Sequence, residues 1–428
     1  MPSTPITPIT PGVLGRFVHA EEERLAERPR TLPFTVEEYR SRLDRLRARM
    51  AADGIDTLIL TSPDALCWLT GYSGRWYRSH SSTRFPSVHC AVVHLGHDRL
   101  FFVESPAHEM LVRLTTWVDD FVGAPESLDG PDASPEEFAA FLGRELASRG
   151  WAKGRVGVER WSSVPNPAGM RAIEAQLAGR GCTVLDASLT IRSVRRLKSA
   201  AEISVIEQAQ SACDAGLREL HRQARPGMTE LEAWGAYMAG VIAAGGEPTA
   251  MHETVAAGPP MPLLHGVSTR RPIGPGEYFH ADVAAAVHHY HARATRPFTM
   301  GPASGPVTRL SQIIAGAHDV LLQMARVGLP FRQLHKAFRD YFAAEGLGEE
   351  GIEGWAGGYE LGVSFPPDWV GEFCWDSSDD RTEAVIEAGL VTNFESCAHL
   401  AMVDTVVFED TGARLLCSLP RQALDITA

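Results

Sequence analysis

The chain runs to 428 residues, more than one ordinary domain, and 44% of them are hydrophobic, enough to fill buried cores, which excludes disorder as the dominant state. Its 40 Lys and Arg stand against 53 Asp and Glu, and the net charge of −13 argues against nucleic acid or anionic lipid as the main partner while favouring neutral or cationic ligands. Seven cysteines (Cys67, Cys90, Cys182, Cys213, Cys374, Cys397, Cys417) lie far apart with no C-x-x-C pair, which suits scattered buried thiols in a reducing interior better than a disulfide scaffold or a zinc ribbon.

Met1 to about Leu32 mixes Pro- and Thr-rich sequence with an Arg/Glu patch and reads as an extended or wrapping arm without chemistry. It lacks a charged start followed by an apolar stretch, and no run of the chain reaches the length of a membrane span, so a soluble cytoplasmic protein is expected. A capping box at Thr35 to Glu38 opens a helix with Tyr39, Leu43, Leu46 and Met50 at helical spacing. Strands are predicted at Thr57 to Thr61, Cys90 to Leu95, Leu100 to Val103, Arg155 to Glu159 and Thr183 to Leu185, with a helix over Ser134 to Arg149. Residues 33–192 thus read as a small α/β domain, ending near Arg192 to Lys198.

A second capping box, Ser199 to Glu202, begins residues 193–428 with a long amphipathic helix carrying Ile203, Ile206, Ala209, Cys213, Leu217 and Leu220 on one side. Two more helices are predicted at about Thr308 to Met324 and Phe331 to Ala344. The end of the chain reads as a hairpin, Met402 to Phe408 and Ala413 to Leu419, joined through Glu409 to Gly412. Helices grouped around antiparallel strands make the larger domain α+β.

Several residues break the apolar patterns. Asp282 interrupts an apolar strand and needs a partner if buried, either Arg293, Arg296 or a cationic ligand. Glu395 stands on a similar strand, so the two acids could hold an amidine or cyclic amidinium through charged hydrogen bonds. His265 lies in a Gly- and Pro-flanked loop, where an imidazole can pass a proton to a leaving nitrogen or serve only the loop. His288, His289 and His291 alternate so that only His289 and His291 share a face, which favours solvated hairpin residues over a metal site. Tyr359, Phe365 and Trp369 could wall a pocket for a flat cationic ring or pack as core. Nucleotide-binding, zincin and α/β-hydrolase signatures are absent from the sequence.

The segments Phe34–Tyr39, Trp68-Leu-Thr-Gly-Tyr72, Arg196-Leu-Lys-Ser-Ala-Ala-Glu202, Leu264–Glu277, Gly358–Trp369 and Asp380–Glu383 resemble the creatinase, prolidase and aminopeptidase P family, from about Phe34 to Ile426. The stretch Gly358–Trp369 is similar in particular to the ectoine hydrolase branch. The resemblance implies a creatinase-like N-terminal domain before a pita-bread catalytic domain, and a homodimer. It puts the five metal-ligand positions of the metallopeptidase members on Asp282, Arg293, Tyr359, Glu395 and Val403, of which only Asp282 and Glu395 keep the ligand type. No metal and no cofactor is therefore expected.

By the same resemblance His265 corresponds to the acid–base histidine of creatinase, and Glu395 to a carboxylate that grips a guanidinium group. A second such carboxylate falls on Thr295, which points away from creatine itself. A creatinase loop that binds the substrate carboxylate corresponds to the region of Arg75, Arg78 and Arg84. The leading expectation is a metal-independent hydrolase of a C–N bond in a small amidine, guanidine or cyclic amidine. The alternatives are an inactive pita-bread domain binding a peptide or partner, and a lyase or biosynthetic enzyme on the same scaffold.

Overall fold

The computed structural model describes residues 11–74, 88–130, 132–249, 251, 254–259, 266–366 and 368–427, which form two compact units, 1–188 and 189–428. The first begins with a helix, α1 (Pro11–Ala26), where the sequence suggested an extended or wrapping arm. Pro11 is tolerated in a first helical turn, and the Glu, Arg, Leu and Ala residues that follow favour the helix over an open chain. Next come α2 (Val36–Asp53), β1 (Thr57–Leu60), α3 (Pro63–Thr70), β2 (Cys90–His94), β3 (Phe101–Glu104), α4 (Glu109–Thr115) and β4 (Phe121–Gly123). The unit is completed by α5 (Pro135–Ser148), β5 (Arg155–Val158), α6 (Pro167–Ala178) and β6 (Thr183–Asp186). Thr35 caps α2 by accepting the Glu38 amide, and Gly54 ends it in a left-handed conformation. The six strands order as β4-β3-β2-β1-β5-β6, with α5 and α6 packed on a core of Ile59, Val92, Phe101, Phe138, Leu142 and Ile173.

After α7 (Ser188–Arg195), the second unit opens with α8 (Ala200–Gln223), whose Ser199 and Glu202 form the expected capping box. A further box at Thr229 and Glu232, passed over in the sequence, starts α9 (Glu230–Ala243). The chain continues through β7 (Val255–Ala257), β8 (Tyr278–Val287), β9 (Tyr290–Thr299), α10 (Gly305–Met324), α11 (Phe331–Ala344), β10 (Leu347–Glu350) and β11 (Trp355–Tyr359). It ends in β12 (Cys374–Asp376), β13 (Val391–Ala398), β14 (Leu400–Glu409), β15 (Gly412–Leu415) and β16 (Leu424–Asp425). The main sheet orders as β12-β11-β13-β14-β9-β8-β7, antiparallel along that path, with β15 on β14 and β16 on β9.

One face of this sheet is covered by helices. Phe279, Ala281, Val283, Ala294 and Phe298 pack with Cys213, Leu217 and Tyr237, while Phe394, Val406 and Phe408 pack with Leu321, Phe331 and Phe338. Phe279 and Phe298 stack with ring centres 5.1 Å apart, and burying each ring stabilises the fold by about 2 kcal/mol. Because side chains alternate along strands, that helix-covered face leaves Asp282, Arg293, Thr295, Val403 and Glu395 on the other one. Among the described residues no helix is long and apolar enough to cross a membrane. All seven cysteines are free thiols; five are buried, as scattered buried thiols would be, while Cys417 is half-buried and Cys374 is exposed on β12.

Candidate active site

The site is built on the β8–β9 hairpin. Val287 pairs with Tyr290, so the turn has only two residues, His288 and His289, with φ of 49° and 65°. Glu247 steadies it by accepting both turn amides, at 3.0 Å each. The hairpin register then sets Asp282 opposite Thr295 and Ala284 opposite Arg293. The same row crosses the sheet from Thr295 to Val403, from Val403 to Glu395 and from Glu395 to Gly357. Thr405 joins β9 to β14, its hydroxyl accepting the Arg293 amide at 2.8 Å and donating to the Arg293 carbonyl at 3.0 Å.

At the centre of the row the Arg293 guanidinium bridges the two acids. One terminal nitrogen lies 2.5 Å from Asp282 Oδ1 and the other 2.5 Å from Glu395 Oε1. The same two oxygens take a second bond each: Thr295 donates to Asp282 Oδ1 at 2.7 Å and Asn393 Nδ2 to Glu395 Oε1 at 2.7 Å. Among the described residues nothing donates to Asp282 Oδ2 or Glu395 Oε2, and the two acid side chains keep 26% and 18% of their surface. The Arg293 side chain keeps 6%. The cluster thus carries one formal negative charge and presents two unused acceptor oxygens. Burial alone would raise the Asp282 pKa, but the Arg293 charge and the Thr295 hydroxyl overcome it and hold the carboxyl below its ordinary value.

Tyr359 completes the arrangement from β11. Any side chain at Gly358 would collide with the Asn393 carbonyl, so glycine lets β11 close on β13, and the Tyr359 amide donates to Asn393 Oδ1 at 2.7 Å. Asn393 therefore orients both Tyr359 and Glu395. The centre of the Tyr359 ring lies 5.2 Å from the Arg293 guanidinium, so the protein's own cation takes the place that the sequence reading offered to a cationic substrate ring. Trp369 Nε1 donates to the Tyr359 hydroxyl at 3.0 Å.

The structure thus brings together Asp282, Arg293, Thr295, Tyr359, Trp369 and Glu395. His265, Arg75, Arg78 and Arg84 lie outside the described residues. Arg296, named as an alternative partner for Asp282, points to the helix-covered side and pairs with Asp404 at 2.8 Å. The histidine triplet departs from simple alternation because the turn intervenes. His288 is exposed and His289 stacks on Phe365 with centres 4.2 Å apart, whereas His291 is buried and its pKa is pushed down to about 4 by desolvation. Asn393, Thr405 and His280 were missed. All three sit an even number of residues from a recognised site position, which is the signal that would have found them. His280 is buried with Nδ1 unpartnered among the described residues, and burial lowers its pKa.

The five positions that the family resemblance gives to metal ligands carry Asp, Arg, Tyr, Glu and Val. Both acids are already bonded to a guanidinium, whose fixed positive charge sits between them, and Val403 offers no donor. These side chains do not fit a pair of divalent cations, which need several free oxygen or imidazole ligands. Among the described residues no group of three or more His, Cys, Asp or Glu is arranged to hold a metal ion.

Comparison with known proteins agrees with this two-part architecture. The creatinase/prolidase N-terminal domain matches residues 42–197, and metallopeptidase family M24 matches residues 204–413. The chain joins a creatinase-type domain to an M24 domain. The M24 domain has the pita-bread fold. Over 412 residues, 92% of this chain and 98% of the other, the protein is 25% identical to the ectoine hydrolase of Halomonas elongata. An X-Pro aminopeptidase from Thermotoga maritima superposes with a TM-score of 0.73 at 18% identity, over 90% of this chain and 99% of that one. An Xaa-Pro dipeptidase from Bacillus anthracis superposes with a TM-score of 0.74 at 18% identity and the same coverage. At that identity the two structures speak for the fold alone, and hydrolase is the class these relatives share with the M24 domain.

Proposed function

We propose that this M24 domain hydrolyses a C–N bond in a small amidine, guanidine or cyclic amidine and does so without a divalent metal. The observation that carries the reading is the Arg293 bridge, which occupies the inner oxygens of Asp282 and Glu395 and leaves Oδ2 and Oε2 as acceptors on a cluster of net negative charge. Two such acceptors match the divergent N–H groups of an amidinium. The ectoine hydrolase relative is named for a cyclic amidine, a ring that carries this group.

In this reading the two outer oxygens hold the nitrogen-rich group, and Arg293 and Thr295 hold the acids in place. Water adds to the amidinium carbon, the C–N bond breaks, and both water protons end on the departing nitrogen. His265 carries those protons, and an arginine among Arg75, Arg78 and Arg84 holds a substrate carboxylate.

The test is a turnover panel of ectoine, creatine, acetamidine and glycyl-proline, with and without EDTA or added manganese, and with His265→Ala beside the wild type. The expected result is ring opening of ectoine, unchanged by EDTA and lost in His265→Ala. Cleavage of glycyl-proline that requires manganese would overturn both the substrate class and the metal-free mechanism. A second reading, a silent domain that binds a peptide, is favoured by the bridge itself, since Arg293 already satisfies one oxygen of each acid. Peptide binding with no turnover anywhere in the panel would establish it.

A further inference from the structure

The acids of the site can only accept hydrogen bonds while ionised, so a ligand that also carries an oxygen must find a donor elsewhere. Tyr359 is placed to supply it. An indole nitrogen donates and never accepts, so the bond from Trp369 Nε1 at 3.0 Å fixes the Tyr359 oxygen as the acceptor. The hydroxyl hydrogen must therefore point elsewhere, and among the described residues nothing accepts it. The side chain is half-buried and its ring lies beside the Arg293 guanidinium, 5.2 Å from ring centre to the central carbon, on the sheet face that carries Glu395, so the hydroxyl keeps a hydrogen to donate at the edge of the cluster. Accepting one hydrogen bond polarises a hydroxyl and strengthens the one it donates.

We infer that Tyr359 is a catalytic residue of the proposed hydrolysis, donating a hydrogen bond to the oxygen that enters from water, and that Trp369 is its positioning residue. The inference rests on the amidine-hydrolase reading. As water adds, a C–O bond forms; as the tetrahedral adduct collapses to the amide, the C–N bond breaks and the entering oxygen gives up its protons to the leaving nitrogen. That oxygen gains negative character as it loses them, and Tyr359 stabilises it by hydrogen bonding without transferring its own proton. An amidinium before attack has only N–H groups to offer. The Tyr359 bond is therefore absent from the bound substrate and present in the adduct, which places its effect in kcat rather than KM.

The experiment measures kcat and KM for ectoine with the wild type, Tyr359→Phe, Trp369→Phe and the double variant, alongside the thermal midpoint of each. Tyr359→Phe should lower kcat about 100-fold with KM within about 2-fold, as loss of one oxyanion donor does elsewhere. Trp369→Phe should lower kcat about 10-fold alone and cost nothing further once Tyr359 is phenylalanine, because a positioning residue has no effect without the group it positions. A purely structural role for Trp369 would instead lower the thermal midpoint and add its loss in both backgrounds. Wild-type turnover with kcat of Tyr359→Phe within about 3-fold sinks this inference and spares the proposed function. No wild-type turnover of ectoine, creatine or acetamidine sinks both.

Discussion

Two arginines three residues apart on β9 meet carboxylates on opposite faces of the sheet, with opposite consequences. Arg296 is fully enclosed, and it donates to Asp404 at 2.8 Å and to the carbonyls of Thr295, Val403 and Pro420 at 2.9 Å each. Cys417 and the Leu419 carbonyl take further bonds at 3.3 Å. Arg293 spends its terminal nitrogens on Asp282 and Glu395, leaves Nε unpartnered, and its acids keep open oxygens. The same pairing of charges is structural where every guanidinium nitrogen has a partner and the carboxylate is sealed in, with His318 Nε2 2.9 Å from its second oxygen, and it becomes a site where the acids keep open acceptors in reach of water.

The sharpest break of this comparison is Arg296→Ala, which strands Asp404 in the core. It should cost the M24 domain about 4 kcal/mol in chemical denaturation, as removal of one partner of a buried pair does. A loss below about 1 kcal/mol would mean that the helix-covered side is not sealed.

Acid separates the two faces next. His291, on the same face as Arg293, is kept neutral in the fold with a pKa of about 4 against an ordinary 6.5. A base whose folded pKa is depressed contributes stability that is fully present above the unfolded value and is lost as pH falls towards the folded one, here about 3 kcal/mol between pH 6.5 and 4. Asp404, on the helix side, is lowered to about 2 from 3.8, against burial, by Arg296 and His318. Its contribution is intact above pH 3.8 and is lost only as pH falls through about 2. Unfolding free energy measured from pH 7 to 4 should therefore slope downward in the wild type and less steeply in His291→Gln, where His280 and His335, also lowered by burial, keep part of the slope. An equal slope in both would remove His291 as the cause.

Arg293→Ala is expected to be milder than Arg296→Ala, about 2 kcal/mol, since water reaches the two acids that lose their counter-ion. Millimolar methylguanidinium should restore much of the lost thermal midpoint by refilling the space between Asp282 and Glu395, and should do nothing for Arg296→Ala. Equal costs, or equal rescue, would erase the distinction between the faces.

Much of the fold was legible in local chemistry. Ser199 and Glu202 announced α8, and Glu409 to Gly412 announced the final hairpin, because caps and turns are satisfied by neighbours in the chain. The N-terminal helix was not, since Pro and Thr at the start outweighed the helix formers behind them. At the site, Asp282, Arg293, Thr295, Tyr359 and Glu395 were readable through family resemblance. The roles of Asn393 and Thr405 were not, because each bonds a strand more than thirty residues away along the chain.

The amino-acid order by itself determined the start of α8, the final hairpin and the two acids that interrupt apolar strands, and through family resemblance it gave the incomplete ligand types at the five metal positions. Only the tertiary structure decided that Asp282 and Glu395 share Arg293 while Arg296 turns away. Strand alternation gives each residue a face, but the cross-strand register of β8, β9, β14 and β13 determines which charges stand within bonding distance.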